Sequence, residues 1–222
     1  HVAQGIYKPD QGSEQTPGDR AATFQLLSGV SLVGGFAGSG ELDPDARDVS
    51  VYESILSGDL AQDDVDVNRV DDLRWAPTRA ENCWHVVTGS RVDGTATLEG
   101  FTICAGHADG PEDIDGSVGA GIIIVDGSPT VKACAFHHNR ASFGAGMYMQ
   151  RSNSTVVGCT FHGNLAGWSG GGVRNSEGSP VFDGCTFTDN LALESRGGAM
   201  ANAFARPILT GCTLRGNRGH DG

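Results

Sequence analysis

Three histidines of this 222-residue chain, His107, His137 and His162, each stand three residues beyond a cysteine: Cys104, Cys134 and Cys159. If those cysteines hold equivalent places in a repeated unit, the imidazoles stack on one outward face. Thr188 and Arg215 would continue the row, and His138 stands beside it. Imidazole changes charge near neutral pH and ligates borderline metals, so the column could hold zinc or copper, or act as acid or base on a bound sugar. Stacked parallel side chains converge poorly on a tetrahedral centre, and the plain alternative is a solvated polar ladder.

Two further groups have suggestive chemistry. Asp59–Asp72 contains six aspartates. Asp64-Val-Asp-Val-Asn68 opens like a calcium loop, but the sixth position is Arg69 rather than glycine and the twelfth is Trp75 rather than glutamate, which excludes an EF-hand. A looser calcium site from Asp59, Asp63, Asp64 and Asp66 is the remaining metal reading, set against a merely solvated acidic loop. The third group is Tyr148 and Arg174, equivalent outward positions in successive units, with Trp168 in the preceding turn. These three make a sugar-contact patch. In a lyase, Arg174 would neutralise a uronate and Tyr148 would donate the proton.

What positions these groups is a repeat. Thr130–Asn139, Thr155–Asn164, Pro180–Asn190 and Pro207–Asn217 are copies of one line, and their closing asparagines are 25, 26 and 27 residues apart. Glycine boxes beginning at Gly119, Gly144, Gly170 and Gly197 drift by the same intervals. Short runs of Thr, Val, Cys and Phe between glycines are strand and turn chemistry. Three strands and three turns in about 25 residues make one coil of a parallel β-solenoid. Equivalent residues then form columns: Cys104, Cys134, Cys159, Cys185 and Cys212, an inward row of Phe136, Phe161, Phe187 and Leu214, and an asparagine row able to take left-handed backbone and to bond amide to amide. The cysteine column is expected to be reduced and structural, with Cys83 outside it. In the copy containing Cys104, Gly106 stands at the phenylalanine place and Asp109 at the asparagine place. Gly158, Gly184 and Gly211 mark a corner, and the recurrence of the glycine boxes in every unit marks turns rather than phosphate loops.

The expected architecture is all-β, one domain over residues 1–222, with about eight coils. Residues 1–95 form irregular coils with acidic loops, and 96–222 form regular coils. Loops are expected at Gly38–Arg47, Asp59–Ala80 and Ala105–Ser117. Both ends read as cut within the solenoid, as in a piece of a longer chain. Net charge is −12, with −11 of it in residues 1–110 and −1 in 111–222. That distribution excludes a nucleic-acid partner, which needs a basic stripe. No stretch nears the ~20 apolar residues of a membrane helix.

The repeat resembles the right-handed parallel β-helix of the pectin-lyase-like superfamily. Gly197-Gly-Ala-Met200 with Phe136–Asn139, Phe161–Asn164 and Phe187–Asn190 resembles the repeats of chlamydial polymorphic outer-membrane proteins. The resemblance implies a secreted or cell-surface bacterial protein. The superfamily holds lyases, hydrolases, adhesins and tailspikes, so it implies a fold more than a function. Its polygalacturonase signatures, Gly-His-Gly and Arg-Ile-Lys among them, are not present, and its catalytic residues cannot be placed on this chain. The leading expectation is a non-catalytic structural or adhesin-like module that meets a polysaccharide or cell-surface glycan. The alternatives are a lyase acting on acidic glycans and a passive glycan- or calcium-binding module.

Overall fold

The computed structural model describes residues 1–65, 67–111, 116–195 and 197–220. Asp66, one of the four expected calcium ligands, lies outside them. Short strands stack in parallel into four sheets of seven, six, four and six strands. One full turn of the chain runs Ala135–His137, Arg140–Phe143, Met147–Gln150, Thr155–Val157 and then Thr160–His162, directly above its start. This is the right-handed parallel β-helix expected from the repeat.

Two counts differ from expectation. Each regular coil has four strands rather than three, because the residues after each asparagine, such as Arg140–Phe143 and Leu165–Ser169, also pair from coil to coil. Extended backbone there has no other means of satisfying its amides in the stack. The largest sheet is crossed seven times, not about eight, because Ser31–Val33 and Val87–Thr88 belong to other faces of coils already counted. Early crossings are far apart in sequence, with Gly5 paired to Ser54 and Ile55 to Thr102. The regular coils settle to steps of 25, 26 and 27 residues, so the insertions belong to the first three coils, the step from Thr102 to Ala135 being the last long one.

Register corrects the columns. His137 pairs with Cys104, and Phe136 with Ile103. The cysteine column is therefore Cys134, Cys159, Cys185 and Cys212, and Phe101 takes the next place, its carbonyl receiving the Ala135 amide as Cys134 receives that of Thr160. Ile103, not Gly106, stands at the phenylalanine position, and Gly106, not Asp109, stands at the asparagine position, where its amide donates to Asn139 Oδ1 at 3.0 Å. The six cysteines are free thiols. The column thiols donate to carbonyls, as Cys185 Sγ does to Val156 at 3.4 Å.

Phe136, Phe161 and Phe187 are fully buried and stack with ring centroids 4.9 Å apart. Asn139, Asn164, Asn190 and Asn217 bond amide to amide at 3.1, 2.9 and 2.8 Å. The left-handed residue is the one before each asparagine: His138, Gly163, Asp189 and Gly216 have φ of 51°, 59°, 53° and 66°. Alternation explains the choice. The His138 ring leans onto Gly163, where an added Cβ would come within 3.1 Å of it, so the next coil needs glycine at that place.

Candidate functional site

The outer face of the seven-stranded sheet carries His137, His162 and Thr188 side by side. Residues 59–82 leave this sheet after Ser54–Ser57 and return at Cys83, whose amide bonds the Gly58 carbonyl at 2.9 Å. Between these ends the segment forms a strap lying across the coils. Two short 3-10 turns, Val70–Arg74 and Pro77–Glu81, stiffen it. Leu73 is fully buried against Leu165 and Leu191, with Val67, Val70 and Leu193 packed around them. This is a second apolar cluster outside the cylinder, and it anchors the middle of the strap.

Arg79 anchors the returning limb. Its side chain is 5% exposed, and its guanidinium donates to the His138 carbonyl at 2.7 Å and faces Asp64 at 3.4 Å. Burial lowers its pKa, and the Asp64 charge opposes that shift. Asp64 also accepts from Asn82 Nδ2 at 2.8 Å and from Thr78 Oγ1 at 3.1 Å. Arg218 reaches Asp71 at 3.1 Å on the far side. Expectation treated the acidic segment and the histidine column as separate; folding puts one on top of the other.

The strap overhangs two half-open cavities. One of about 160 Å³ is bounded by Asp59, Asp64, Arg79, Cys104, His137 and His138. The other, about 250 Å³, has Gly163 as part of its floor, His138, His162, Asp189 and Arg218 as walls and Val67–Val70 above. His137 Nδ1 and His138 Nδ1 are 3.3 Å apart, and His162 Nδ1 meets Thr188 Oγ1 at 3.1 Å and Asp189 at 3.9 Å. Burial lowers the His137 pKa, helped by the charge of His162.

His107 is not a member of this group. It pairs with Arg140 in the four-stranded sheet, is buried, and holds the Arg79 carbonyl at 2.7 Å through Nδ1. Burial lowers its pKa. The expected trio of His107, His137 and His162 is thus broken by the same register that removes Cys104 from its column. His138 takes the place beside His137 and His162.

The expected calcium set is also rearranged. Asp64 is committed to Arg79, Thr78 and Asn82. Asp59 and Asp63 instead gather with Glu81, one carboxylate oxygen of each lying within 4.8 Å of the others. Burial, followed by the Asp59 charge, raises the Glu81 pKa to about 7. The sequence reading missed Glu81 because it lies beyond the acidic run, at the opposite end of the strap, and only folding brings it across the neck to Asp59.

Trp168 and Arg174 come together around a residue that sequence reasoning passed over, Phe143, with Tyr148 on the strand beside Arg174. Trp168 is 56% exposed and stacks on Phe143 at 6.4 Å. Arg174 lies 5.8 Å over the same Phe143 ring and donates to Ser169 Oγ at 3.1 Å. Tyr148 is the cross-strand neighbour of Arg174. The signal available in sequence was the position of Phe143 immediately before a glycine box.

Compared with known proteins, residues 111–222, half of the chain, match the family model described as right handed beta helix region. No curated protein and no solved structure matches the chain. Among the described residues no helix is long and apolar enough to cross a membrane.

Proposed function

We propose that this chain, which belongs to the right-handed β-helix family, is a non-catalytic, adhesin-like module of a secreted or cell-surface bacterial protein that meets glycans on its flank. The observation that carries this reading is the Trp168–Phe143–Arg174 platform. An exposed indole backed by a second ring offers a flat apolar face to a sugar, and a guanidinium beside it favours a carboxylated one. Behind the platform, the buried asparagines and thiols of the regular coils are engaged with neighbouring coils, as a rigid display rod requires.

A second reading, a lyase acting on acidic glycans, is favoured by the 250 Å³ cavity of His138, His162, Asp189 and Arg218. One experiment separates the two. The chain is incubated with a panel of uronate-containing polysaccharides, and both retention on immobilised glycan and absorbance of new unsaturated ends are followed. Retention without new ends is expected, with Trp168→Ala weakening retention roughly five- to tenfold, a loss of about 1 kcal/mol or slightly more. New unsaturated ends that disappear in Arg174→Ala, Tyr148→Phe or His162→Ala would overturn the non-catalytic reading.

A further inference from the structure

Beside the platform, the outer face of the four-stranded sheet carries a half-open pocket of about 130 Å³. Arg140 lines it, with His107 on the strand to one side and Leu165 on the strand to the other. Arg140 is half-buried, yet among the described residues its guanidinium makes no hydrogen bond. Asp109, also in the lining, is already bonded to Arg20 and lies 3.8 Å from His107. Burial lowers the Arg140 pKa, the Asp109 charge opposes that shift, and the charges of Arg74 and Arg79 add to it. A guanidinium drawn out of water without an acceptor is costly unless an anion shares it.

The strap brings a second cation and a second indole to the same face. Leu73 packs on Leu165, a residue of the pocket wall, and so sets Arg74 and Trp75 beside it. Arg74 lies 5.4 Å over the Trp75 ring and, among the described residues, makes no ion pair. From Leu165 the strand runs on to Trp168, so two indoles, 78% and 56% exposed, stand at the two ends of the pocket. On the neighbouring strand, Arg140 and Phe143 are three extended residues apart, about 10 Å. That is more than one sugar ring covers. Glu194, exposed on the next coil beyond Gly167, is a carboxylate of this face; against it stand Arg74, Arg140 and Arg174, so the face favours an anion.

We propose that this face is one groove for an acidic oligosaccharide. Arg140 holds a carboxylate in the pocket, Trp75 and Trp168 take sugar faces at either end, and Arg174 meets a second carboxylate. The assignment rests on the glycan-contact reading above and extends it, because the strap as well as the rod then supplies the site. A flat guanidinium fork pairs with a carboxylate through two parallel hydrogen bonds, and the narrow pocket suits a planar carboxylate better than a tetrahedral sulfate.

The test titrates the full chain, by calorimetry, with an oligogalacturonate of six sugars, with free galacturonate and with a sulfated glucan of equal length that carries no uronate. The parent should bind the oligogalacturonate roughly tenfold or more tightly than the free acid, since linked subsites act together. Arg140→Gln should weaken oligogalacturonate binding roughly tenfold or more, the worth of a hydrogen bond to a charged group. Trp75→Ala truncates an exposed side chain and should weaken it roughly two- to tenfold, which keeps the groove testable even if Arg140→Gln does not fold. Binding that falls in Trp168→Ala but is unchanged in Arg140→Gln and Trp75→Ala would overturn the groove and leave the platform reading standing. No binding of the oligogalacturonate by the parent would overturn both. A sulfated glucan bound as tightly as the oligogalacturonate would overturn the carboxylate assignment.

Discussion

Asn164 is fully buried, yet each end of its amide has partners: Nδ2 donates to the Phe136 carbonyl at 2.9 Å and to Asn190 Oδ1, and Oδ1 accepts from the Asn139 amide and side chain. Truncation removes all of these together and leaves donors and carbonyls of two adjoining coils buried without partners. Such groups cost about 1–3 kcal/mol each, with partial relaxation. Asn164→Ala should therefore lower unfolding free energy by roughly 2–4 kcal/mol in a denaturant titration. An unchanged unfolding free energy would mean the ladder contributes nothing to stability. Glu81 gives the contrasting case, a partly buried group whose charged form the fold opposes. Its pKa rises from 4.5 to about 7, so the folded state binds the extra proton between those values. Its contribution is fully present below about pH 4.5 and is lost as pH climbs through 7. His107 and His137, with pKa values lowered by burial, act in the opposite sense: their contribution is complete above 6.5 and is lost as pH falls below that. The measurement that isolates Glu81 is the difference between parent and Glu81→Gln. The parent should lose stability relative to the variant from pH 4.5 to 7, and a flat difference would refute the raised pKa.

The strap shows where an element can be named from sequence and its location cannot. A loop over Asp59–Ala80 followed from the acidic run and the interrupted spacing. Its docking did not, because the contacts that hold it, Arg79 to the His138 carbonyl and Leu73 to Leu165 and Leu191, occur once and have no periodic signature. A clue was present: Val67, Val70 and Leu73 recur every three residues among aspartates, as an amphipathic segment with something apolar beneath it would require. The columns were legible for the opposite reason. Coils spaced 25, 26 and 27 residues apart present the same environment each time, so Phe136, Phe161 and Phe187 declare themselves. The longer step from Thr102 to Ala135 breaks that spacing, and it misassigned Cys104 and His107 by three positions. Because the strap rests on its own small cluster, it should open independently of the rod. Leu73→Ala removes a fully buried side chain from that cluster at a cost of about 2–5 kcal/mol, the range for a buried leucine. Hydrogen exchange should then speed up at the amides of Asp72 and Trp75 while those of Phe161 and Phe187 keep the parent rate. Equal acceleration in both places would show that strap and rod unfold as one unit.

Apart from the strap, which reaches from Leu73 and Arg79 to later coils, stability runs along one axis, since the repeated strands of each coil pair only with those of the coils above and below. A defect in a column is therefore felt according to how many neighbours share it. Phe161 has a ring 4.9 Å away on each side, Phe136 and Phe187, and no exposed surface. Leu214 occupies the same column beyond Phe187 but is 53% exposed. Removing the Phe161 ring leaves a cavity whose walls are two stacked phenylalanines that cannot close toward each other without shifting both ladders of backbone hydrogen bonds. Phe161→Ala should cost about 3–5 kcal/mol, the range for a buried phenylalanine. Leu214→Ala removes a side chain that keeps half its surface in solvent and should cost roughly 1 kcal/mol, in line with the area it buries. Equilibrium denaturation of the two variants checks the ratio. Equal losses would mean that the coil carrying Leu214 is as tightly coupled as the coil carrying Phe161, and the nearest-neighbour account of the stack would fail.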